Sequence, residues 1–419
     1  MTFADRYNPF VSPQLKDPYP TYTAARREAP IFFSPVLSLW VVSRYEDIIP
    51  IYRNPAVFSS SCVITARYEA TPEAARVLEA GGYVRSPLTV DNDPPDHTRV
   101  RQAVNKAFAP ARVARLEAHI RATARELVGA FERDGRADLV ARFFFVLPLY
   151  VMLDLLGLPR ADMQRVRAWG EAWAAFMWAP LAPEQQLECA RSMVEYLDYC
   201  RAHVAARKAA PGDDLLSDLV RGQSDGTPAL SDLEIAMMIN DLLFAGHETT
   251  KNTLANMVKL LLEHPDQWAD LLANPELVPG AIEEAMRMDS PVQVALRVTT
   301  TEVEVAGTTL PRGAGVCLVI GSANHDEAVV ADPERFDIRR KKPERHLTFG
   351  HGIHFCLGAM LARLEARVAV GVLTERLRGL RFASEEPISY RPNLLLRGPE
   401  QLILAWDPPA DAADRSEMA

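Results

Sequence analysis

The chain has 419 residues, 48% of them hydrophobic, which is ample for a large core. Its formal net charge of −9 excludes a global basic field of the kind that draws in nucleic acid. Five cysteines, an odd and sparse set with no CxxC pair, argue against a disulfide framework and for a reducing compartment.

From the N-terminus, MTFADRYNPF has neither a basic n-region nor an apolar h-region, so it does not read as a signal peptide. The short runs IFFS (31–34) and LWVVS (39–43) read as strands that could pair. In the 60–90 segment, TPEAARVLEAGG (71–82) reads as a short capped helix: Thr71 at the N-cap, Pro72 at N1, Gly81 just past the end. Helical spacing of apolar residues then recurs through 97–133, 142–178 and 183–209. FFFVLPLYVML (143–153) is among the longest apolar runs and is too short to span a bilayer. The expectation is a cytoplasmic protein without membrane insertion.

The longest helical pattern covers 231–263. Ser231 and Glu234 form an S-x-x-E capping box, and His264-Pro265 stops the helix. At 1.5 Å per residue it is about 50 Å long and must be buried over much of its course. Its middle, LLFAGHETTKNTL (242–254), places Gly246, His247, Glu248, Thr249 and Thr250 where polar groups are costly unless satisfied. Two readings stand: a solvent-facing turn, or a local break where a ligand approaches the backbone. In the second, Ala245 and Gly246 leave the space and Thr249 bonds back to a carbonyl of the preceding turn. In EEAMR (283–287), Glu284 and Arg287 lie at i,i+3 and can pair; taken alone, that reads as a surface salt bridge worth little. VEVAGTTL (303–310) and VCLVIGS (316–322) read as strands, and 357–378 as a last helix. No repeat or low-complexity linker appears, so residues 1–419 are expected to form one large domain, mainly α with minor β sheets.

FGHGIHFCLG (349–358) surrounds Cys356 with three glycines and two histidines. Zinc ligation by His351, His354 and Cys356 does not match a zinc-finger spacing. A nucleophile would need a base, and His354 two residues away is poorly spaced for that. An inert core cysteine would not need the glycines. A fourth reading uses every feature. Gly350, Gly352 and Gly358 permit unusual backbone angles and close approach of a flat ligand. The following helix N-terminus favours a thiolate, and a thiolate under a planar macrocycle is a haem iron ligand.

The stretch resembles the haem-binding signature of the cytochrome P450 family, F-G-x-G-x-H-x-C-x-G, in all six fixed letters. Other landmarks follow in the family's order. AGHETT (245–250) is similar to its oxygen-activation motif, and Glu284 and Arg287 match its E-x-x-R. DPERF (332–336) is similar to the segment that supplies a second arginine to that pair. DPPDHTRVR (93–101) is similar to an early helix that reaches the haem propionates, and LGAMLARLE (357–365) continues the signature in the bacterial style. The resemblance covers about residue 15 to 405. It implies a soluble bacterial haem–thiolate monooxygenase with a triangular, helix-rich P450 fold that binds haem b.

The resemblance also implies roles. Cys356 would be the axial thiolate, with Phe349 shielding the sulfur and Gly350, Gly358, Ala245 and Gly246 giving room to the ring. His97, Arg101, Arg297 and His354 would meet the propionates. Glu248 and Thr249 would deliver protons, while His247 either extends that relay or bonds elsewhere. Glu284, Arg287 and Arg335 would form a buried ion-pair network, with Arg340 a rival for the third place. Pocket walls would include Phe176, Met177, Leu242, Val292, Val294, Ala295, Leu394 and Leu395, mostly apolar, for a terpenoid, steroid, fatty acid or polyketide-like substrate. Arg67 and Arg85 could anchor a substrate carboxylate or be plain surface charges, and the 71–82 helix would act as a lid. No flavin or iron–sulfur module is visible, so electrons would come from a ferredoxin or flavodoxin with its NAD(P)H reductase, and RRKKPER (339–345) would dock it. A monomer is expected. Two alternatives stay open: a peroxide-driven or dioxygen-independent enzyme of the same fold, and a non-catalytic haem sensor or carrier. His351 has no assigned role.

Overall fold

The computed structural model describes residues 2–64, 66, 68–105, 108–222, 230–341 and 345–409. Ten strands occur among them: β1 (Ile31–Ser34), β2 (Leu39–Val42), β3 (Phe58–Ser59), β4 (Arg136–Asp138), β5 (Val294–Thr299), β6 (Val303–Val305), β7 (Thr308–Leu310), β8 (Gly315–Val319), β9 (Arg378–Phe382) and β10 (Ile403–Asp407). Helices carry the rest of the architecture, so the mainly α class with minor sheets holds.

β1 and β2 pair antiparallel with Ile31 opposite Val42, as their adjacent runs suggest. The sheet they start is completed from far along the chain, in the order β1-β2-β8-β5-β3, with β2 parallel to β8 and β8 antiparallel to β5. VEVAGTTL is a hairpin by itself, β6 to β7, turning at Ala306 and Gly307 with φ of 46° and 79°. Two positive φ values at a two-residue turn match the right-handed twist of the flanking strands. The third small sheet is β4-β10-β9.

The 32-residue helix Asp232–Glu263, the long helix, runs unbroken through the apolar interior. Its capping box is closed in both directions: the Glu234 N–H donates to Ser231 Oγ at 3.2 Å, and the Ser231 N–H donates to Glu234 Oε2 at 2.7 Å. It packs against Val146–Leu156, Pro183–Ala209, Val278–Met288 and the helix that follows Cys356, Ala359–Arg376. Ile239, Leu254, Met257 and Leu261 bury the shared face, with Leu153, Val368 and Val372 in the same core.

Two long helical patterns are divided. The 97–133 pattern becomes Asp96–Asn105, Pro110–Arg115 and Glu117–Gly129, with Pro110 opening the second piece. The 142–178 pattern becomes a wide turn at Val140–Phe144, then Val146–Leu156 and Met163–Trp178, parted at Gly157-Leu158-Pro159. The helix Pro72–Ala80 is capped as read, with Thr71 Oγ1 accepting the Ala74 N–H. It is tied to Pro183–Ala209: Arg201 donates to the carbonyls of Gly81 and Gly82 at 3.0 and 2.9 Å.

Candidate functional site

The Cys356 loop is built by its own backbone. Gly350 and Gly352 take φ of 71° and 70°, the left-handed region that a side chain disfavours. This curl lets the Cys356 N–H donate to the Phe349 carbonyl at 2.8 Å. Gly358, at φ −86°, is not in an unusual conformation; instead, a methyl group added there would meet nothing within 4 Å. The start of the Ala359–Arg376 helix therefore faces open space beside a half-buried thiol. Burial pushes the Cys356 thiol up, and the Gly358 N–H, Arg101 and Arg363 only partly offset it. The helix terminus alone does not secure a thiolate, which a bound metal would do by displacing the proton.

The histidines of the loop diverge from the sulfur. His351 lies against Arg53, whose Nε donates to its Nε2 at 3.3 Å. His354 donates from Nδ1 to the Thr89 carbonyl at 3.1 Å and accepts at Nε2 from Ser60 Oγ at 2.9 Å. Among the described residues no group of three or more His, Cys, Asp or Glu side chains could hold a metal ion, so the zinc reading falls.

Around this loop stand three nitrogen donors with no carboxylate in contact; the acid that His97 and Arg297 feel, Asp93, is held by Ser59 and Ser60. His97 is buried, its ring 4.3 Å from that of His354, and its Nε2 has no hydrogen-bond partner. Arg297 is only 5% exposed; it donates to the Leu296 carbonyl at 2.6 Å and lies over the Tyr52 ring. Arg101 donates to the Phe355 carbonyl at 2.6 Å and to Asn105 at 3.1 Å. Neither arginine has a carboxylate partner among the described residues, and burial lowers the pKa of both. A ligand bearing two carboxylates and a flat body fits these donors and the open face at Gly358. His354, expected beside them, has both ring nitrogens engaged and would reach a carboxylate only by releasing Ser60. Burial, then Arg297 and His97, hold its pKa down to about 4.

On the long helix, Thr249 Oγ1 donates to the Ala245 carbonyl at 2.7 Å, the back-bond read from the sequence. Ala245 is exposed in the middle of this otherwise buried helix. Gly246 does something else than expected. A methyl group there would lie 2.6 Å from Met152 Sδ, so the missing side chain serves helix packing rather than a ligand. Glu248 accepts from Lys251 Nζ at 2.6 Å. Burial would raise its pKa, but the Lys251 ammonium beside it brings it below the usual value, so it is ionised. His247 is buried edge-on to Phe145 at 4.2 Å, and burial drives its pKa down to about 4. It is a neutral packing residue here.

Glu284 and Arg287 are not on the surface. Both are essentially inaccessible and form two bonds, of 2.8 and 2.9 Å. The third member is Arg340, whose Nε lies 3.0 Å from each Glu284 oxygen. Arg335 is corrected: its side chain is exposed, and it contributes only a carbonyl, to Arg287 and Arg340. The chain direction after Phe336 turns residue 340 inward and leaves 335 outside. Next door, Glu283 binds Arg363 at 2.6 and 2.8 Å and His346 at 3.2 Å, and the Arg363 guanidinium lies 4.3 Å over the Phe349 ring.

The expected pocket residues divide among four apolar groups. Phe176 and Met177 pack with Trp173, Phe244, Ile64 and Leu78. Leu242 belongs to the main core, and Val292 and Ala295 pack on the cluster containing Phe58 and Leu347. Val294 is corrected: alternation along β5 turns it away from Ala295, into the N-terminal cluster with Tyr22 and Val41, where Leu394 and Leu395 also pack. Arg85 is not a free charge either, since it pairs with buried Asp91. Arg67 lies outside the described residues. Sequence reasoning missed Ser60, Thr89 and Arg363, whose partners are far away in the chain, and Asp91, whose partners Arg85 and Leu88 lie in its own loop.

Two of the five basic residues in the run 339–345 are committed. Arg339 binds Asp270 at 2.6 and 2.7 Å, and Arg340 points inward to Glu284. Lys341 and Arg345 are exposed, and Lys342 lies outside the described residues. Among the described residues no helix is long and apolar enough to cross a membrane.

Comparison with known proteins bears on the family and the fold. The family model for Cytochrome P450 matches residues 186–405. The chain is 38% identical to cytochrome P450 107B1 of Saccharopolyspora erythraea over 371 residues, 87% of this chain and 89% of that protein. It is 36% identical to the cytochrome P450 monooxygenase PikC of Streptomyces venezuelae over 96% of this chain and 94% of that one. Among solved structures, cytochrome P450 CREJ in complex with (4-ethylphenyl) dihydrogen phosphate superposes with a TM-score of 0.91 at 35% identity, covering 96% of this chain and 100% of that one.

Proposed function

Because the chain belongs to the cytochrome P450 family, we propose that Cys356 would hold the iron of its haem b through sulfur and that His97, Arg101 and Arg297 would hold the propionates. The enzyme is a haem–thiolate monooxygenase. Bound haem supplies the iron at which dioxygen is activated and one oxygen atom is passed to substrate. The observation that supports the residue assignment is the convergence on the Cys356 loop of three donors with no carboxylate in contact.

The chain's own residues do the rest. The Cys356 N–H is already spent on Phe349, so the Gly358 N–H is the one left to bond the sulfur. Thr249 donates its proton to Ala245 and keeps its lone pairs toward the exposed side of the helix, where they can hold a water. Glu248 is ionised and clamped by Lys251. For it to carry a proton to Thr249, that clamp must open, so Lys251 sets when the relay runs. The substrate is a hydrophobic small molecule that enters between Phe176, Phe244 and Ala295, beneath the Pro72–Ala80 helix.

Residues 1–419 act as one haem domain, reduced by a separate ferredoxin or flavodoxin. With Arg339 and Arg340 committed, Lys341 and Arg345 are the charges left for docking among the described residues. Lys341→Glu lowers the electron-transfer rate at low salt and removes its salt dependence; a rate indifferent to both salt and substitution sinks this docking site. The ligand assignment is tested by reducing the protein under carbon monoxide. The thiolate-type red-shifted Soret band is expected in the wild type and lost in Cys356→Ala. A band without that shift in the wild type refutes the assignment.

A further inference from the structure

The long helix carries a carboxyl that none of these roles uses. Asp241 lies one turn before Ala245 and two turns before Thr249, so the three climb one side of the helix. Across from it runs the segment 83–93. Arg85 and Asp91 of that segment are the charges Asp241 feels most, and its Thr89 binds His354 of the Cys356 loop. Asp241 therefore sits between the exposed side of the long helix and the strip of chain that reaches the proposed haem site.

Its oxygens are poorly served. Oδ2 is buried and has no hydrogen-bond partner among the described residues. Oδ1 has only a long contact, 3.4 Å, from the neighbouring Asn240 Nδ2. Arg85 is no answer, because it pairs with Asp91, which is 3% exposed and also accepts the Leu88 N–H at 3.0 Å. The phenols that feel Asp241, Tyr83 and Tyr196, are neutral. Arg85, Asp91 and Asp241 together leave one negative charge without a counter-charge. Burying a lone carboxylate is costly; burial accordingly pushes its pKa up to about 7, with Arg85 opposing.

We propose that Asp241 is a specificity-determining residue that anchors the substrate through a protonated amine, seated about 12 Å along the helix axis from Thr249. The inference rests on the monooxygenase reading and narrows it: the oxidised carbon is remote from a basic nitrogen on an otherwise apolar molecule. A carboxylate substrate is disfavoured, because Arg85 is already paired with Asp91 and an ionised Asp241 would repel it. A hydroxyl group would complete the hydrogen bond of Oδ2 but leave the charge unanswered, so the amine fits better.

The test is a ferric Soret titration of the haem-loaded protein with decyldimethylamine, its carbon isostere 2-methyldodecane, and 1-dodecanol. The wild type is expected to bind the amine at least tenfold tighter than the isostere, with a shift to shorter wavelength. Asp241→Asn should lose that preference while its affinity for the isostere is unchanged. Three results overturn the proposal: equal amine binding in Asp241→Asn, a shift to longer wavelength showing the nitrogen on iron, or an equal loss for 1-dodecanol. Should Asp241→Asn fail to hold haem, Asp241→Leu gives the same comparison without a buried polar group. The carbon monoxide band of the same samples separates the readings. A wild type without the thiolate band sinks the monooxygenase site, whereas a normal band with no amine preference sinks only the anchor.

Discussion

Two groups of buried charges in this molecule look alike in the sequence and differ in kind. Glu284, Arg287 and Arg340 form a closed set: two guanidinium groups share one carboxylate, and the surplus N–H groups reach the carbonyls of Asn324, Ala331, Asp332, Pro333 and Arg335. His97, Arg101 and Arg297 form an open set, with donors directed to backbone carbonyls, to the Asn105 amide oxygen or to nothing, and with no carboxylate in contact. The closed set satisfies itself and serves the fold. The open set is complete only with an anion from outside, so it marks a ligand. A carboxylate in direct contact, not burial, separates a structural arginine from a binding one.

The largest effect should come from opening the closed set. Arg287→Ala removes the fully buried, doubly bonded partner of Glu284 and leaves only Arg340 beside it; it is expected to cost about 3–5 kcal/mol, read as a lower urea midpoint. Loss of less than about 1 kcal/mol would mean that the set is not a unit. Arg340→Ala leaves Arg287 in place and should cost less, about 1–3 kcal/mol. Arg297→Gln tests the other set from the opposite side. It removes a buried, unneutralised charge, so the haem-free protein should be no less stable, while haem dissociates at least tenfold faster, on the order of 1.4 kcal/mol. A variant that unfolds without loosening haem would place Arg297 in the structural class.

A smaller effect is expected with pH. His354 titrates at about 4 in the folded protein, below its usual 6.5. As pH falls from 6.5 toward 4, the unfolded chain takes up a proton that the folded chain refuses, so stability declines through that window and not above it. His354→Gln should flatten the decline in urea midpoint between pH 7 and 5; an unchanged slope would assign the acid limb to other groups. Smallest is Arg335→Ala, expected within about 0.5 kcal/mol because its side chain is exposed and its carbonyl remains.

How far the site is legible in the chain depends on distance along it. The capping box at Ser231 and Glu234, the pairing of Glu284 with Arg287, the back-bond of Thr249 and the curl at Gly350 and Gly352 involve partners within four residues. Helical geometry and backbone sterics decide these, and both can be read from spacing. Even there, spacing alone placed Glu284 and Arg287 on the surface, because an i,i+3 pair carries no mark of what covers it.

The sequence by itself determined the helical class, the long central helix, the strained Cys356 loop and, through ordered motifs, the haem–thiolate family. Only the tertiary structure decided which charges close on one another. Arg340 replaced Arg335 at Glu284, Gly246 turned to Met152 rather than to a ligand, Ser60 engaged His354 from 294 residues away, and Arg85 paired with Asp91 and left Asp241 alone. The reason is physical. Local conformation follows from sterics over a turn or two, whereas the partner of a buried polar group is chosen by whichever distant segment the packing of the core brings within hydrogen-bond reach.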